Sequence, residues 1–84
     1  MNAEQVFYSL FDRNLSALPV AVQRKIAASI DEMGEDLRGY PHYHLTGANR
    51  YRLRVGDYRI IYTFDPGRNE IYLLDVGHRR EIYR

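Results

Sequence analysis

The sequence YRLRVGDYRIIYTF, residues 51–64, predicts two adjoining β-strands joined by a tight turn. Apolar and polar side chains alternate along the first of these strands, which is the period-two pattern of a half-buried strand. Gly56 and Asp57 separate the strands, and a two-residue link that contains glycine is typical of a β-hairpin. A loop of this length sets the register, because Val55 must then lie opposite Tyr58.

This register sorts the side chains of the hairpin onto two faces. The covered face carries the pairs Tyr51–Tyr62, Leu53–Ile60 and Val55–Tyr58, and the exposed face carries Arg50–Thr63, Arg52–Ile61 and Arg54–Arg59. Like charges directly opposite one another destabilise a strand pair, and the hairpin has no acidic residue on that face to offset them. We expect such a face to bind an anion, although arginines on a half-exposed strand can also be simply its solvated side.

Upstream of the hairpin, the periodicity predicts a short strand over residues 4–8 and then two helices. The first helix has Ser9 as a candidate N-cap and ends at Pro19. The second helix is the clearest element, and it fades near Gly34, since glycine is unfavourable inside helices. Apolar residues three or four positions apart form one face of each helix: Phe11, Leu15 and Leu18 in the first, and Val22, Ile26, Ile30, Met33 and Leu37 in the second.

Residues 38–49 are rich in turn formers and are predicted to be a loop, whereas residues 70–76 are apolar enough for a central strand. Gly77 is expected to end or kink that strand. The predicted order is therefore β-α-α-β-β-β in a single domain of residues 1–84. This is an α+β fold in which a helical hairpin packs on one face of a small, mainly antiparallel sheet.

Composition narrows the class of protein. The chain has 84 residues and no cysteine, which excludes disulfides and cysteine-ligated metal sites. No signal peptide or membrane-spanning stretch is apparent, so we expect a soluble cytoplasmic protein without a membrane partner. Residues 39–84 carry eight arginines against five acidic residues, and residues 1–38 carry four basic against six acidic ones. An arginine-rich half on a nearly neutral chain indicates a local anion site.

Other candidate groups give weaker signals. His42 and His44 have a spacing that metal sites use, but no third ligand lies near them in sequence. His78 is either a proton-transfer group or a neutral residue at the end of a strand. Tyr40, Tyr43 and Tyr83 are the tyrosines left over from the core pattern, and they are candidates for stacking on bases.

Residues 51–62, together with VGHRREIYR at residues 76–84, resemble the RelE/ParE superfamily of bacterial toxins from type II toxin–antitoxin pairs. The resemblance is strong over residues 45–84 and is one of layout alone over residues 1–44. It implies the RelE-like fold predicted above. It also implies a RelB-like antitoxin as partner, with promoter DNA bound only through that antitoxin.

The RelE branch resembles small ribonucleases that cut mRNA in the ribosomal A site, where a 2′-hydroxyl attacks the adjacent phosphate without metal or cofactor. By that resemblance, Arg59, Arg79 and Tyr83 are the catalytic candidates. Further arginines are the candidates for RNA and phosphate binding: Arg50, Arg52, Arg54, Arg80 and Arg84. Cations that face the developing charge of a pentavalent phosphate stabilise it, and arginine can do so through two hydrogen bonds.

The best-known members carry lysine where this chain has Arg52 and Arg54. Arginine does not give up its proton usefully, so proton transfer falls to Tyr83, His78 or ribosomal RNA, or else the reaction relies on positioning and charge. Two alternatives are a ParE-like inhibitor of DNA gyrase and a degenerate relative that only binds its antitoxin. The retained arginines and the tyrosine near the end of the sequence favour the RelE branch.

Overall fold

Two helices pack on one face of a five-stranded sheet in the computed structural model, which describes residues 1–82 and the side chains up to Arg80. The elements are β1 (Glu4–Phe7), α1 (Ser9–Ser16), α2 (Val20–Glu35), β2 (Tyr43–His44), β3 (Tyr51–Val55), β4 (Tyr58–Asp65), β5 (Glu70–His78) and α3 (Arg79–Ile82). The strand order is β1-β5-β4-β3-β2, in which β1 runs parallel to β5 and every other neighbour is antiparallel. The predicted α+β fold is confirmed.

The register of the β3–β4 hairpin is the predicted one from Val55–Tyr58 to Tyr51–Tyr62. Gly56 has φ +59°, a left-handed conformation that glycine adopts without steric cost. A single left-handed residue at the first turn position is the geometry of a type II′ turn, which suits a two-residue hairpin. The predicted pair of Arg50 with Thr63 is wrong, because β3 begins one residue later, at Tyr51.

The region predicted as a loop contains the short edge strand β2. Its two residues pair with β3, Tyr43 with Arg52 and His44 with Tyr51. The backbone N–H of Leu45 donates to the carbonyl of Arg50 at 2.9 Å, which continues this second hairpin by one residue. A strand of two residues is too short to show a period in the sequence. It nevertheless covers the edge of β3 and shapes one side of the site described below.

The core lies between the helices and one face of the sheet. Its fully buried side chains come from both layers: Phe11, Ile26, Ile30 and Met33 from the helices, and Ile60, Tyr62, Ile71, Leu73 and Val76 from the strands. The predicted N-cap at Ser9 is wrong, since Tyr8 holds that position without a side-chain cap. Helix α2 ends at Glu35, one residue after Gly34, which confirms the predicted end of this helix.

The opposite face of the sheet is not uniformly solvated. The sequence places Ile61 on the exposed face, yet only 6% of its surface is accessible. Ile61 lines a cleft of about 640 Å³ with Leu10, Leu45 and Leu74, so chain segments distant in sequence shield it. Strand β5 runs one residue past Gly77, to His78, so the strand does not end at this glycine.

Candidate functional site

A cleft of about 400 Å³ opens where the edge strand β2 meets the turn end of the β3–β4 hairpin. It collects three of the arginines that the sequence singled out, together with two tyrosines. Its lining residues are Tyr40, Pro41, Tyr43, Arg52, Leu53, Arg54 and Arg59. The sequence pattern gave no signal for Pro41, because only the pairing of β2 with β3 brings the segment around Pro41 beside β3.

Arg54 and Arg59 face each other across the hairpin as direct partners. Arg54 is exposed, and its Nε donates to the carbonyl of Gly56 at 3.2 Å, which folds the side chain toward the turn. Arg59 is half-buried, and its Nε and Nη1 atoms are shielded from solvent. A guanidinium partly removed from water attracts an anion more strongly than one in bulk solvent, because the local dielectric is lower.

Arg52 lies on the same face of β3, two residues before Arg54. Its guanidinium carbon is 5.6 Å from the centroid of the Tyr43 ring, within the range of a cation–π interaction. Arg52 of β3, Ile61 of β4 and Asp75 of β5 lie in one row across the sheet, so Ile61 separates Arg52 from Asp75. The Asp75 Oδ1 atom accepts hydrogen bonds from Asn14 Nδ2 at 2.7 Å and from the backbone N–H of Val76 at 2.8 Å.

Arg79 is brought to the same end of the sheet by the backbone. Its N–H donates to the carbonyl of Asp57 at 2.9 Å, which ties the start of α3 to the β3–β4 turn. Arg79 and Arg80 are both exposed. The structure therefore gathers Arg54, Arg59 and Arg79 around one turn, although they come from three different elements.

His78 lies at this end of the sheet but on the helix side. It pairs with Tyr58 in the register that pairs Val76 with Ile60, and strand alternation places all four on the face that packs against the helices. The rings of His78 and Tyr58 meet edge-on at 5.7 Å. The Nδ1 atom accepts the backbone N–H of Arg80 at 3.3 Å, so neutral His78 carries its hydrogen on Nε2.

Other predicted site residues fall elsewhere. Arg50 lines the apolar cleft beside Ile61 and does not reach the arginine cleft. Tyr83 and Arg84 lie outside the described residues, so their predicted roles stay predictions.

His42 anchors the segment that carries Pro41 and Tyr43. Its Nε2 atom donates to the carbonyl of Leu37 at 2.7 Å, which leaves Nδ1 to accept the Tyr62 hydroxyl at 2.6 Å. The imidazole also stacks on Phe64 with 4.0 Å between centroids. Burial, and then the neighbouring Tyr40 and Tyr51, raise the pKa of Tyr62, which keeps its phenol protonated as the donor in this pair. Both ring nitrogens of His42 are therefore in use.

Two features of the structure bear on other classes of function. Across residues 1–82, no helix is long and apolar enough to cross a membrane. Within that same range, no group of three or more histidine, aspartate or glutamate side chains is arranged to hold a metal ion.

Comparison with protein families decides the broader assignment. The model of the family described as "ParE toxin of type II toxin-antitoxin system, parDE" matches residues 3–83. The chain belongs to the RelE/ParE toxin superfamily. It is therefore a toxin of the type II toxin–antitoxin class. No curated protein sequence matches this toxin significantly.

Solved structures support the same assignment. The RelB–RelE antitoxin–toxin complex from Methanococcus jannaschii is similar at a TM-score of 0.73 and 28% identity, covering 93% of this chain and 94% of that chain. The archaeal RelE–RelB complex from Pyrococcus horikoshii OT3 gives a TM-score of 0.77 at 24% identity, over 96% and 99% of the two chains. A free mutant form of E. coli RelE gives 0.80 at 15% identity, over 98% and 88%. The last two, being less than 25% identical, establish the fold of the toxin alone.

Proposed function

We propose that this toxin is a ribosome-dependent mRNA endoribonuclease of the RelE type. The observation that carries the proposal is the cleft where Arg54 and Arg59 lie directly opposite each other, with Arg52 beside them and Arg79 tied to the same turn. Like charges in such a pair destabilise the sheet. A polyanion that neutralises them would account for their presence. We place this activity in the cytoplasm, where ribosomes translate mRNA.

The proposed chemistry is a transesterification within the RNA strand. The 2′-oxygen of one nucleotide attacks the adjacent phosphorus, and the bond from phosphorus to the 5′-oxygen of the next nucleotide breaks. The products are a 2′,3′-cyclic phosphate and a free 5′-hydroxyl. Negative charge grows on the pentavalent phosphorus during this step, and Arg59 and Arg79 are the groups we assign to stabilise it. Loss of one such donor typically costs about 100-fold to 1,000-fold in rate.

The proton balance needs a base for the 2′-hydroxyl and an acid for the leaving 5′-oxygen. Arginine serves neither role well at neutral pH. Tyr83 remains our candidate for proton transfer, and ribosomal RNA is the external alternative. Neutral His78 has its hydrogen on Nε2 and accepts the Arg80 N–H at Nδ1, so in that tautomer Nε2 can donate a hydrogen bond but cannot take up a proton.

A cognate RelB-like antitoxin is the proposed regulator. The M. jannaschii and P. horikoshii relatives were solved as complexes of RelE with RelB, which supports a partner of this kind. Acidic residues on that partner would complement Arg52, Arg54 and Arg59. The complex would bind its promoter DNA through the antitoxin, and the free toxin would bind mRNA in the ribosomal A site, with Arg50, Arg80 and Arg84 as further RNA contacts.

Gyrase inhibition is the second candidate, and the match to the ParE family model is the observation that favours it. The two functions differ in what the arginine cleft must do. A ribonuclease needs Arg59 and Arg79 for chemistry on a phosphate, whereas a gyrase inhibitor needs a surface that contacts protein.

The deciding experiment is primer extension on abundant transcripts after brief induction of the toxin in cells. We expect new cuts inside translated codons with the wild type, and a loss of about 100-fold or more with Arg59→Ala and Arg79→Ala. Arg68→Ala is the matched control, because Arg68 lies in the turn at the other end of the sheet, with 71% of its side chain exposed beside Glu70.

Growth arrest with DNA damage and uncut transcripts would overturn the ribonuclease proposal in favour of gyrase. An absence of both arrest and cuts would favour a degenerate relative that only binds its antitoxin. Retention of the cuts in both variants would overturn the assignment of the site.

A further inference from the structure

Tyr43 is the most exposed tyrosine or phenylalanine among the side chains that the structure describes. It lies on the edge strand β2, and 62% of its surface is open to solvent. Tyr40, the other tyrosine of the arginine cleft, is half-buried, packs against the core and lies 5.7 Å from the His42 ring. Burial raises the pKa of Tyr40, and the charge of Glu32 adds to that shift. Tyr40 is thus part of the packed wall, while Tyr43 presents its ring to solvent.

The surroundings of Tyr43 are cationic. It is the direct strand partner of Arg52, whose guanidinium carbon lies 5.6 Å from the ring centroid. Arg54 and Arg59 complete the same cleft of about 400 Å³. An exposed ring beside several arginines is the combination that single-stranded nucleic acids bind, because bases stack on the ring while phosphates contact the cations.

We propose that Tyr43 is the base-stacking platform of this toxin, and that it holds a nucleobase next to the phosphate bound by Arg54 and Arg59. The inference rests on the proposed ribonuclease function and adds a binding residue to it. Arg59 lies two strands away from Tyr43 and two residues further along the sheet, which places their backbones about 12 Å apart. The stacked base therefore belongs to a nucleotide beside the scissile phosphate. Stacking accepts any base, since every base has an aromatic face.

Hydrogen bonds hold the segment that carries Tyr43 in place. His42 precedes Tyr43 directly, and both of its ring nitrogens are held, one by the Leu37 carbonyl and one by the Tyr62 hydroxyl. On the side of Tyr43 away from His42, strand pairing of Tyr43 and His44 with β3 holds the same segment. Little ordering of this segment is then needed when RNA binds, which favours affinity.

The test is cleavage of a defined mRNA on purified ribosomes with one codon in the A site, measured at a series of toxin concentrations. We expect Tyr43→Phe, which keeps the ring, to remain within about twofold of the wild type. Tyr43→Leu, which keeps an apolar side chain without a ring, should lose about tenfold in kcat/KM. Tyr8→Leu is the control, because Tyr8 is 49% exposed and lines the separate apolar cleft.

An abasic nucleotide at each codon position in turn identifies the stacked base. At one position the abasic change should lower cleavage by the wild type and leave cleavage by Tyr43→Leu unchanged. Wild-type activity in Tyr43→Leu, or equal losses of activity in Tyr43→Phe and Tyr43→Leu, would overturn the stacking role of Tyr43. The proposed ribonuclease function would still stand. A loss of antitoxin binding with normal cleavage would reassign Tyr43 to a protein contact. If the wild type cuts no mRNA, the proposed function fails, and the platform fails with it.

Discussion

Arg54 and Arg59 lie directly opposite each other on neighbouring strands, one residue beyond the pair that closes the hairpin turn. Two cations in this arrangement repel, so the site should lower the stability of the fold that carries it. We predict that Arg54→Gln raises the free energy of unfolding by about 0.5 kcal/mol at low salt while it lowers mRNA cleavage. Urea denaturation of the toxin measures the first effect.

The effect of salt shows whether the stability gain of Arg54→Gln comes from relief of charge repulsion or from another cause. At about 1 M salt the Debye length falls to about 3 Å, and the advantage of Arg54→Gln should disappear. Arg52→Gln is the comparison, because both strand partners of Arg52, Ile61 and Tyr43, are uncharged and no repulsion is relieved. Loss of the cation–π contact with Tyr43 should make this variant no more stable than the wild type. A less stable Arg54→Gln protein at low salt would contradict the prediction.

His42 and His44 form a natural pair of variants for testing the anchor of the cleft. His42→Ala leaves the Tyr62 hydroxyl and the Leu37 carbonyl without their present partner and removes the stack on Phe64. We predict a loss of about 2–4 kcal/mol in the free energy of unfolding, since unsatisfied buried polar groups are costly.

His44→Ala provides the comparison, because His44 is exposed and its ring contact is with Tyr51 at 5.1 Å. The free energy of unfolding should fall by about 0.5 kcal/mol in His44→Ala, within the ordinary range for surface substitutions. Equal losses for the two histidines in urea denaturation would show that the buried hydrogen bonds contribute little.

The register of the hairpin could be predicted from the sequence because it depends on local chemistry. A two-residue turn with glycine leaves one pairing, and the observed pairs from Val55–Tyr58 to Tyr51–Tyr62 follow from it. The meeting of Arg54 and Arg59 follows from the same rule. Strand β2 could not be predicted in this way, because two residues carry no period and their partner lies across a turn.

The burial of Ile61 shows a different limit of the sequence. Alternation assigns a residue to one face of a strand, but it does not tell what covers that face. Here Leu10 and Leu45 come from distant parts of the chain to line the cleft with Ile61. The same limit applies to His78, because the alternation that places it on the helix side can be assigned only once the bulge between Ile61 and Tyr62 is known.

His78 offers a test of proton transfer against positioning. The register places it on the helix side of the sheet, beside Tyr58, while Arg54 and Arg59 lie on the other side. We predict that His78→Asn, whose side-chain oxygen can still accept the Arg80 N–H, lowers cleavage less than tenfold and leaves the shape of the pH–rate profile unchanged. Loss of one limb of that profile, with a drop of about 100-fold or more, would instead make His78 a proton donor.

Gly34 and Gly56 should respond to alanine in opposite directions. Gly34 lies inside α2, and a Cβ built there meets Ala3 atoms at 3.6–3.7 Å, which is ordinary van der Waals contact. Because alanine is the better helix former and restricts the unfolded chain, Gly34→Ala should stabilise the toxin by about 0.5–1 kcal/mol. The hydrogen bond from the Ala3 N–H to the Gly34 carbonyl, 2.9 Å long, uses backbone atoms alone and should persist.

Gly56→Ala has open space around the new methyl group but must adopt φ near +59°. Left-handed backbone costs an L-residue about 1–2 kcal/mol, so this variant should be less stable by about 1 kcal/mol. Thermal and urea denaturation of the two variants and the wild type measure the predicted gain for Gly34→Ala and the predicted loss for Gly56→Ala. If Gly34→Ala proved destabilising, the space between α2 and Ala3 would be tighter than these distances indicate, and close approach of the helix to the start of β1 would then require glycine at this position.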